Sequence, residues 1–155
     1  HFLTPEDVVK LQLALGSDIM MPLDECVHYP VSYDQAEQAV ERTTLWATRS
    51  KKVHRTENQF LFGIVQGSTQ KELRKRSAEE LLELNFDGYA VGGLSVGEPQ
   101  DLMYNILNFT VDYLPSDRPR YVMGMGLPQD ILEAVSMGID MFDCVVPTRF
   151  ISSLL

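Results

Sequence analysis

Phe60-Leu61-Phe62-Gly63-Ile64-Val65, the polar helix-like stretch over residues 70–84, and then Gly88-Tyr89-Ala90-Val91-Gly92-Gly93 decide the fold of this 155-residue chain. The two apolar runs are short and bounded by polar or glycine residues, as buried strands are. Between them, charges alternate with Leu73, Ala78, Leu81 and Leu82 at helical spacing, the mark of an amphipathic helix. Strand, helix and strand in this order form the repeating unit of a parallel sheet covered by helices.

Working outward, the same unit recurs on both sides. Thr4-Pro5-Glu6-Asp7 reads as an N-cap, a first-turn proline and two acids suited to the helix dipole, with Gly16 closing that helix. A short apolar strand, Asp18-Ile19-Met20-Met21-Pro22-Leu23, follows and ends at Asp24; residues 33–52 then have helical composition, with Ala36, Ala39, Val40, Leu45 and Trp46 available for a buried stripe. Downstream, Pro99 opens a helix running to about residue 114, and Arg120-Tyr121-Val122-Met123 is the next strand. Gly126-Leu127-Pro128 starts a helix closed by Gly138, and the last strand, within Gly138-Ile139-Asp140-Met141-Phe142, delivers Asp143. The pattern is α/β, with five strands alternating with helices.

In such folds the residues at the C-terminal strand ends gather on one face, so Asp24, Gln66, Gly93, Met123 and Asp143 are expected to line one pocket. A single aspartate after a strand reads most simply as a turn or capping residue. The recurrence of polar strand ends is what favours a site. A carboxylate fixed there by the sheet is well placed to act as a nucleophile or base.

A (β/α)8 barrel takes about 250 residues. Five units in 155 residues therefore read as a partial barrel over residues 1–149, an excerpt of a larger domain, with a non-matching end at 150–155. A complete doubly wound sheet of five strands also fits the length. With 45% hydrophobic residues there is enough material for a core, and no apolar run approaches the roughly 18 residues of a membrane span. A cytoplasmic domain is expected. Cys26 and Cys144 each follow a strand end and imply no disulfide, and His1, His28 and His54 show no metal-ligand spacing with them and read as surface or loop residues. A net charge of -9 argues against strong nucleic-acid binding by this segment alone. Its two basic clusters, Arg49-Ser50-Lys51-Lys52 with His54 and Arg55, and Lys71 with Arg74-Lys75-Arg76, read as solvated helix faces.

Five motifs, taken together and in order, resemble one family: Ser17-Asp18-Ile19-Met20-Met21-Pro22-Leu23-Asp24-Glu25-Cys26, Phe62-Gly63-Ile64-Val65-Gln66-Gly67, Tyr89-Ala90-Val91-Gly92-Gly93-Leu94-Ser95-Val96-Gly97-Glu98, Tyr121-Val122-Met123-Gly124, and Met141-Phe142-Asp143-Cys144-Val145-Val146-Pro147-Thr148-Arg149. They are similar to the bacterial tRNA-guanine transglycosylases, or queuine tRNA-ribosyltransferases. The resemblance implies a (β/α)8 barrel with an inserted zinc subdomain. It also implies exchange of the wobble guanine of GUN-anticodon tRNAs for 7-aminomethyl-7-deazaguanine (preQ1) in queuosine biosynthesis.

By the same resemblance Asp143 is the nucleophile that forms a covalent aspartyl-ribosyl intermediate. Asp24 would accept hydrogen bonds from the N1 and amino donors of the base. Gln66 and the Gly93 N–H would bind the O6 carbonyl. The Leu94 carbonyl would accept the aminomethyl group with Glu98 behind it, and Met123 would pack on the base. Cys26 and Val96 match the bacterial residues beside the 7-substituent, where eukaryotic relatives make room for queuine. Archaeal relatives, which insert a different deazaguanine, fit this pair less well. The family's second catalytic aspartate and its base-stacking aromatic belong upstream of His1. Its zinc ligands, C-x-C-x-x-C and a distant histidine, belong downstream of Arg149, where Phe150-Ile151-Ser152-Ser153-Leu154-Leu155 matches neither. Zinc is thus expected in the full-length family with ligands outside this chain, homodimers are expected there too, and this segment is expected not to turn over alone. The alternatives are an inactive fragment or partner-type member of the same family, or an unrelated nucleotide-binding module using Gly124-Met125-Gly126-Leu127-Pro128 as a phosphate-binding helix start.

Overall fold

The computed structural model describes residues 2–56, 58–146, 148 and 149; the expectations for His1, for Pro147 in the last motif and for segment 150–155 lie outside the described residues. The elements follow in strict alternation: α1 Pro5–Leu15, β1 Ile19–Met20, α2 Tyr33–Val53, β2 Phe60–Val65, α3 Lys71–Glu83, β3 Gly88–Val91, α4 Gln100–Val111, β4 Arg120–Val122, α5 Pro128–Ser136 and β5 Met141–Phe142.

Local chemistry sets the boundaries. Thr4 and Asp7 form a reciprocal capping box, with the Asp7 N–H donating to Thr4 Oγ1 at 3.2 Å and the Thr4 N–H donating to Asp7 Oδ2 at 3.1 Å. β1 is shorter than its apolar run. The Met21 N–H donates to the Gln12 side-chain oxygen at 2.9 Å and the Met21 carbonyl accepts from Gln12 Nε2 at 2.8 Å, so α1 rather than a neighbouring strand takes this backbone. Pro22 then has no N–H to offer a ladder. On α2 the buried face is Ala36, Ala39, Val40, Thr43, Ala47 and Ser50. Leu45, expected in this stripe, is instead exposed, because two residues past Thr43 lies about 200° around the helix.

All neighbouring strands are parallel and their order is β1-β2-β3-β4-β5. A doubly wound sheet reverses its strand order at a switch point. This sheet steps in one direction only, and successive helices pack against one another along it. The result is a curled half-barrel, a partial (β/α) barrel. The core lies between strands and helices, where Leu61, Val65 and Val91 meet Ala78, Leu81, Ile106 and Leu107. The strands thereby hold their C-terminal ends, and the loops that follow, on one side.

Candidate active site

The exits of β1 and β2 are fixed by side chains from the helices behind them, and those of β3 and β5 by loop and strand groups. After β1, the Glu25 N–H donates to Thr43 Oγ1 of α2 at 3.0 Å, which anchors the loop carrying Asp24. After β2, the Gln66 N–H donates to Ser77 Oγ of α3 at 3.1 Å, and the Gln66 amide Nε2 donates to Asp24 Oδ2 at 2.6 Å. Burial raises the Asp24 carboxyl above its ordinary value against the pull of that Gln66 bond. Gln66 is buried, and its Oε1 has no partner among the described residues. Gly93 has a left-handed backbone, and a Cβ there would stand 2.3 Å from Gln66 Oε1, so only glycine lets the amide lie against the end of β3.

The loop after β3 is held by Glu98, which accepts from the Ser95 N–H at 2.5 Å and the Val96 N–H at 2.9 Å. Ser95 itself has φ +60, a costly conformation for a residue with a side chain. In a trans peptide the N–H and C=O point opposite ways. With the Ser95 N–H committed to Glu98, the Leu94 carbonyl is turned to the other side. After β5, Asp143 Oδ1 accepts from the Tyr121 hydroxyl at 2.6 Å and the Gly124 N–H at 2.8 Å. Burial first, and the Asp143 bond second, raise the Tyr121 phenol far above its usual range, so it stays a donor.

These exits enclose a cavity of about 320 Å³ lined by Asp24, Cys26, Gly93, Leu94, Val96, Met123 and Asp143, together with Gly92, Ser95 and Gly124. Gln66 and Glu98 stand outside its lining and act on it through Asp24 and through the Ser95 and Val96 N–H groups. A neighbouring cleft of about 530 Å³ is larger and shares Cys26. Its lining comes only from the β1–α2 loop and α2, whereas the smaller cavity gathers the exits of four strands.

A sequence model of the family described as queuine tRNA-ribosyltransferase matches residues 1–152. The chain belongs to the queuine tRNA-ribosyltransferase family. Its curated relatives of that name include those of Caldanaerobacter subterraneus subsp. tengcongensis, 59% identical over 150 residues, and Pelotomaculum thermopropionicum, 59% over 149. The Aquifex aeolicus relative is 57% identical over 151 residues. Each comparison covers 96% of this chain and 40% of the relative, so the chain spans about 40% of the length of these relatives.

Two residues escaped the sequence reading. Tyr121 lies on β4 two positions before Met123, which follows the strand's last residue, and residues at that spacing along an extended chain share a face. The expectation for Arg74 was wrong: it is fully buried rather than solvated. Arg74 falls in register with Ser77, Ala78 and Leu81 on the buried face of α3, and that spacing was the signal available. The Gly124 N–H is spent on Asp143, and Gly126 is where the chain passes Cys144, with a Cβ placed 2.1 Å from the cysteine Cβ. That glycine-rich turn therefore serves the strand exit. Cys26 is an exposed free thiol and Cys144 a half-buried one. No three His, Cys, Asp or Glu side chains among the described residues could hold a metal. No helix among the described residues is long and apolar enough to cross a membrane.

Proposed function

We propose that this chain carries the base-exchange site of a tRNA-guanine transglycosylase, which replaces the wobble guanine of GUN-anticodon tRNAs with preQ1. The observation that carries the reading is one cavity shared by two carboxylates in different states. Asp24 is half-buried and paired with a single amide, while Asp143 is exposed and steadied by Tyr121 and Gly124.

Asp24, when ionised, offers only acceptors and suits the N1–H and amino donors of a guanine-like edge. Gln66 Nε2 has two hydrogens, one given to Asp24, which leaves the other for the base's O6 together with the Gly93 N–H. Met123 packs on the base, where a polarizable thioether suits a ring. The Leu94 carbonyl, turned away from Glu98, accepts from the aminomethyl ammonium, and Cys26 and Val96 restrict the room beside it.

Asp143 attacks C1′ of the ribose. Its oxygen bonds to the carbon as the C1′–N9 bond breaks, and guanine leaves with the bonding pair and takes up a proton from solvent. The N9 of the incoming base then loses its proton to solvent and attacks C1′ from the face that guanine left, opposite Asp143, breaking the C1′–Oδ bond. Two displacements retain configuration, as in retaining glycosidases. Tyr121 and Gly124 both bond Oδ1, so Oδ2 is the oxygen committed to neither. The tRNA is the macromolecular substrate, and a cytoplasmic homodimer is the proposed setting.

The test is transfer of labelled guanine into a GUN-anticodon tRNA by a chain of full family length containing this segment. Label should enter that tRNA, be displaced by preQ1, and not enter a tRNA with adenine at the wobble position. Equal labelling of both tRNAs would contradict the proposal.

A further inference from the structure

Arg74 is the largest fully buried side chain among the described residues, and it makes no contact with a carboxylate among the bonds it forms. Its guanidinium instead donates to four backbone carbonyls. Nε reaches Ser68 at 2.7 Å, Nη1 reaches Val65 at 3.1 Å and Gly92 at 2.6 Å, and Nη2 reaches Gly93 at 3.0 Å. These oxygens belong to the end of β2, the loop after it and the turn after β3. Only a planar fork of donors spans three such segments.

The orientation of two peptides follows from these bonds. With the Gly92 carbonyl on Arg74, the trans geometry sends the Gly93 N–H the opposite way. That N–H faces the Cys26 thiol, another residue lining the cavity. With the Gly93 carbonyl also on Arg74, the Leu94 N–H is turned away in the same manner. Two successive carbonyls converge on one cation only if the residue between them bends sharply, and Gly93 has φ +62.

A buried charge is costly without a contacting counter-ion, and neutral amide donors would suffice for a clamp alone. What a cation adds is polarisation: a positive charge on the carbonyl side of a peptide strengthens its N–H as a donor. We infer that Arg74 is a positioning residue for the base site, aiming the Gly93 N–H into the cavity and strengthening it for the charge that collects on the base's O6 as the glycosidic bond breaks. This rests on the base-reading function proposed above. Burial pulls the Arg74 guanidinium down to about 10, so it stays protonated at neutral pH. Glu98 and Cys26 act on it only through space.

Guanine and 6-thioguanine separate this role from a structural one. Both keep the N1–H and amino donors for Asp24 and differ in acceptor strength at C6. Calorimetric binding is measured with a chain of full family length containing this segment, unmodified and as Arg74→Lys. The unmodified protein is expected to prefer guanine by about tenfold, and Arg74→Lys to cut that preference to about threefold or less. An equal loss for both ligands would make Arg74 a structural clamp and overturn the inference. If the unmodified protein shows no preference, the base-reading site fails, and the inference with it. Should Arg74→Lys not fold, the unmodified protein still decides through the NMR signal of the Arg74 Nε–H in 15N-arginine-labelled protein. That signal is expected to move more with guanine than with 6-thioguanine. A signal that ignores both ligands while they bind would overturn the inference.

Discussion

The two ends of the sheet carry cavities of almost the same size, about 320 Å³ at the C-terminal ends and about 310 Å³ at the N-terminal ends. What separates them is how their polar groups are committed. At the N-terminal end Asp87 accepts from the Leu61 N–H at 2.9 Å, and Asp140 nearby accepts from the Arg120 N–H at 2.9 Å; both carboxylates extend the bonding of strand backbones. Ile19, Phe60, Phe62 and Met141 line much of the rest. At the C-terminal end Asp24 is held by a side-chain amide, and Asp143 by a phenol and a loop N–H. Left-handed Ser68, Gly93 and Ser95 lie in the loops there, and left-handed Asn85 precedes β3 at the other end. Volume alone does not mark a site. Carboxylates held by groups other than the sheet ladder do.

The sharpest way to break this contrast is Asp143→Asn. Exchange of labelled guanine should fall by about 10⁴-fold or more, as loss of a nucleophile does. The urea midpoint should barely move, since the side chain is exposed. A rate within tenfold of the unmodified protein would return Asp143 to the same class as Asp87. The counterpart at the other end is Phe62→Ala. Phe62 is 1% exposed, and its loss should cost about 3–5 kcal/mol in urea unfolding while leaving the guanine preference over adenine intact. Altered base selectivity there would blur the division between the two ends.

Asp24→Asn sharpens the comparison within the site. It puts a donor opposite a donor, which should weaken guanine binding by about ten- to a hundredfold, or 1–3 kcal/mol. Burial raises the Asp24 carboxyl above its ordinary 3.8, and two base donors need the ionised form. Guanine affinity should therefore rise with pH through that raised value. In the ligand-free protein the sign is opposite: the folded state favours the neutral acid, so this group's contribution to stability is lost as pH rises through the same value. Calorimetry and urea unfolding across pH should both lose these slopes in Asp24→Asn.

The smallest expected effect lies outside the site, at the paired bonds from Arg49 to Glu6, 2.8 and 2.7 Å, which tie α2 to α1. They hold Glu6 well below its ordinary 4.5, at about 2. Its contribution to stability is present above the ordinary value and lost as pH falls from there toward 2. Glu6→Gln should flatten the acid side of the stability curve slightly and leave guanine binding unchanged.

Much of this was legible in the sequence where one physical cause dominates. β2 and β3 begin and end as read, at Phe60–Val65 and Gly88–Val91, because apolar runs bounded by glycine and polar residues have few other uses. Asp24, Gly93, Met123 and Asp143 meet in one cavity because parallel connectivity forces strand exits onto one side. The errors came where tertiary partners override local pattern. β1 stops at Met20 because the Gln12 side chain captures the next peptide, a contact no periodicity encodes. Arg74 sits two residues from Arg76, yet Arg76 bonds three glutamates at the surface while Arg74 is buried among carbonyls. Composition treats the two alike; only helical register separates them.

The most direct test of the central claim is a denaturing quench of a chain of full family length containing this segment, mixed with a GUN-anticodon RNA hairpin and no incoming base, followed by peptide mass mapping. The account predicts a ribosyl-linked RNA adduct on the peptide containing Asp143, absent in Asp143→Asn and discharged by guanine or preQ1. Base exchange that proceeds with no adduct, or an adduct carried by another residue, would contradict it.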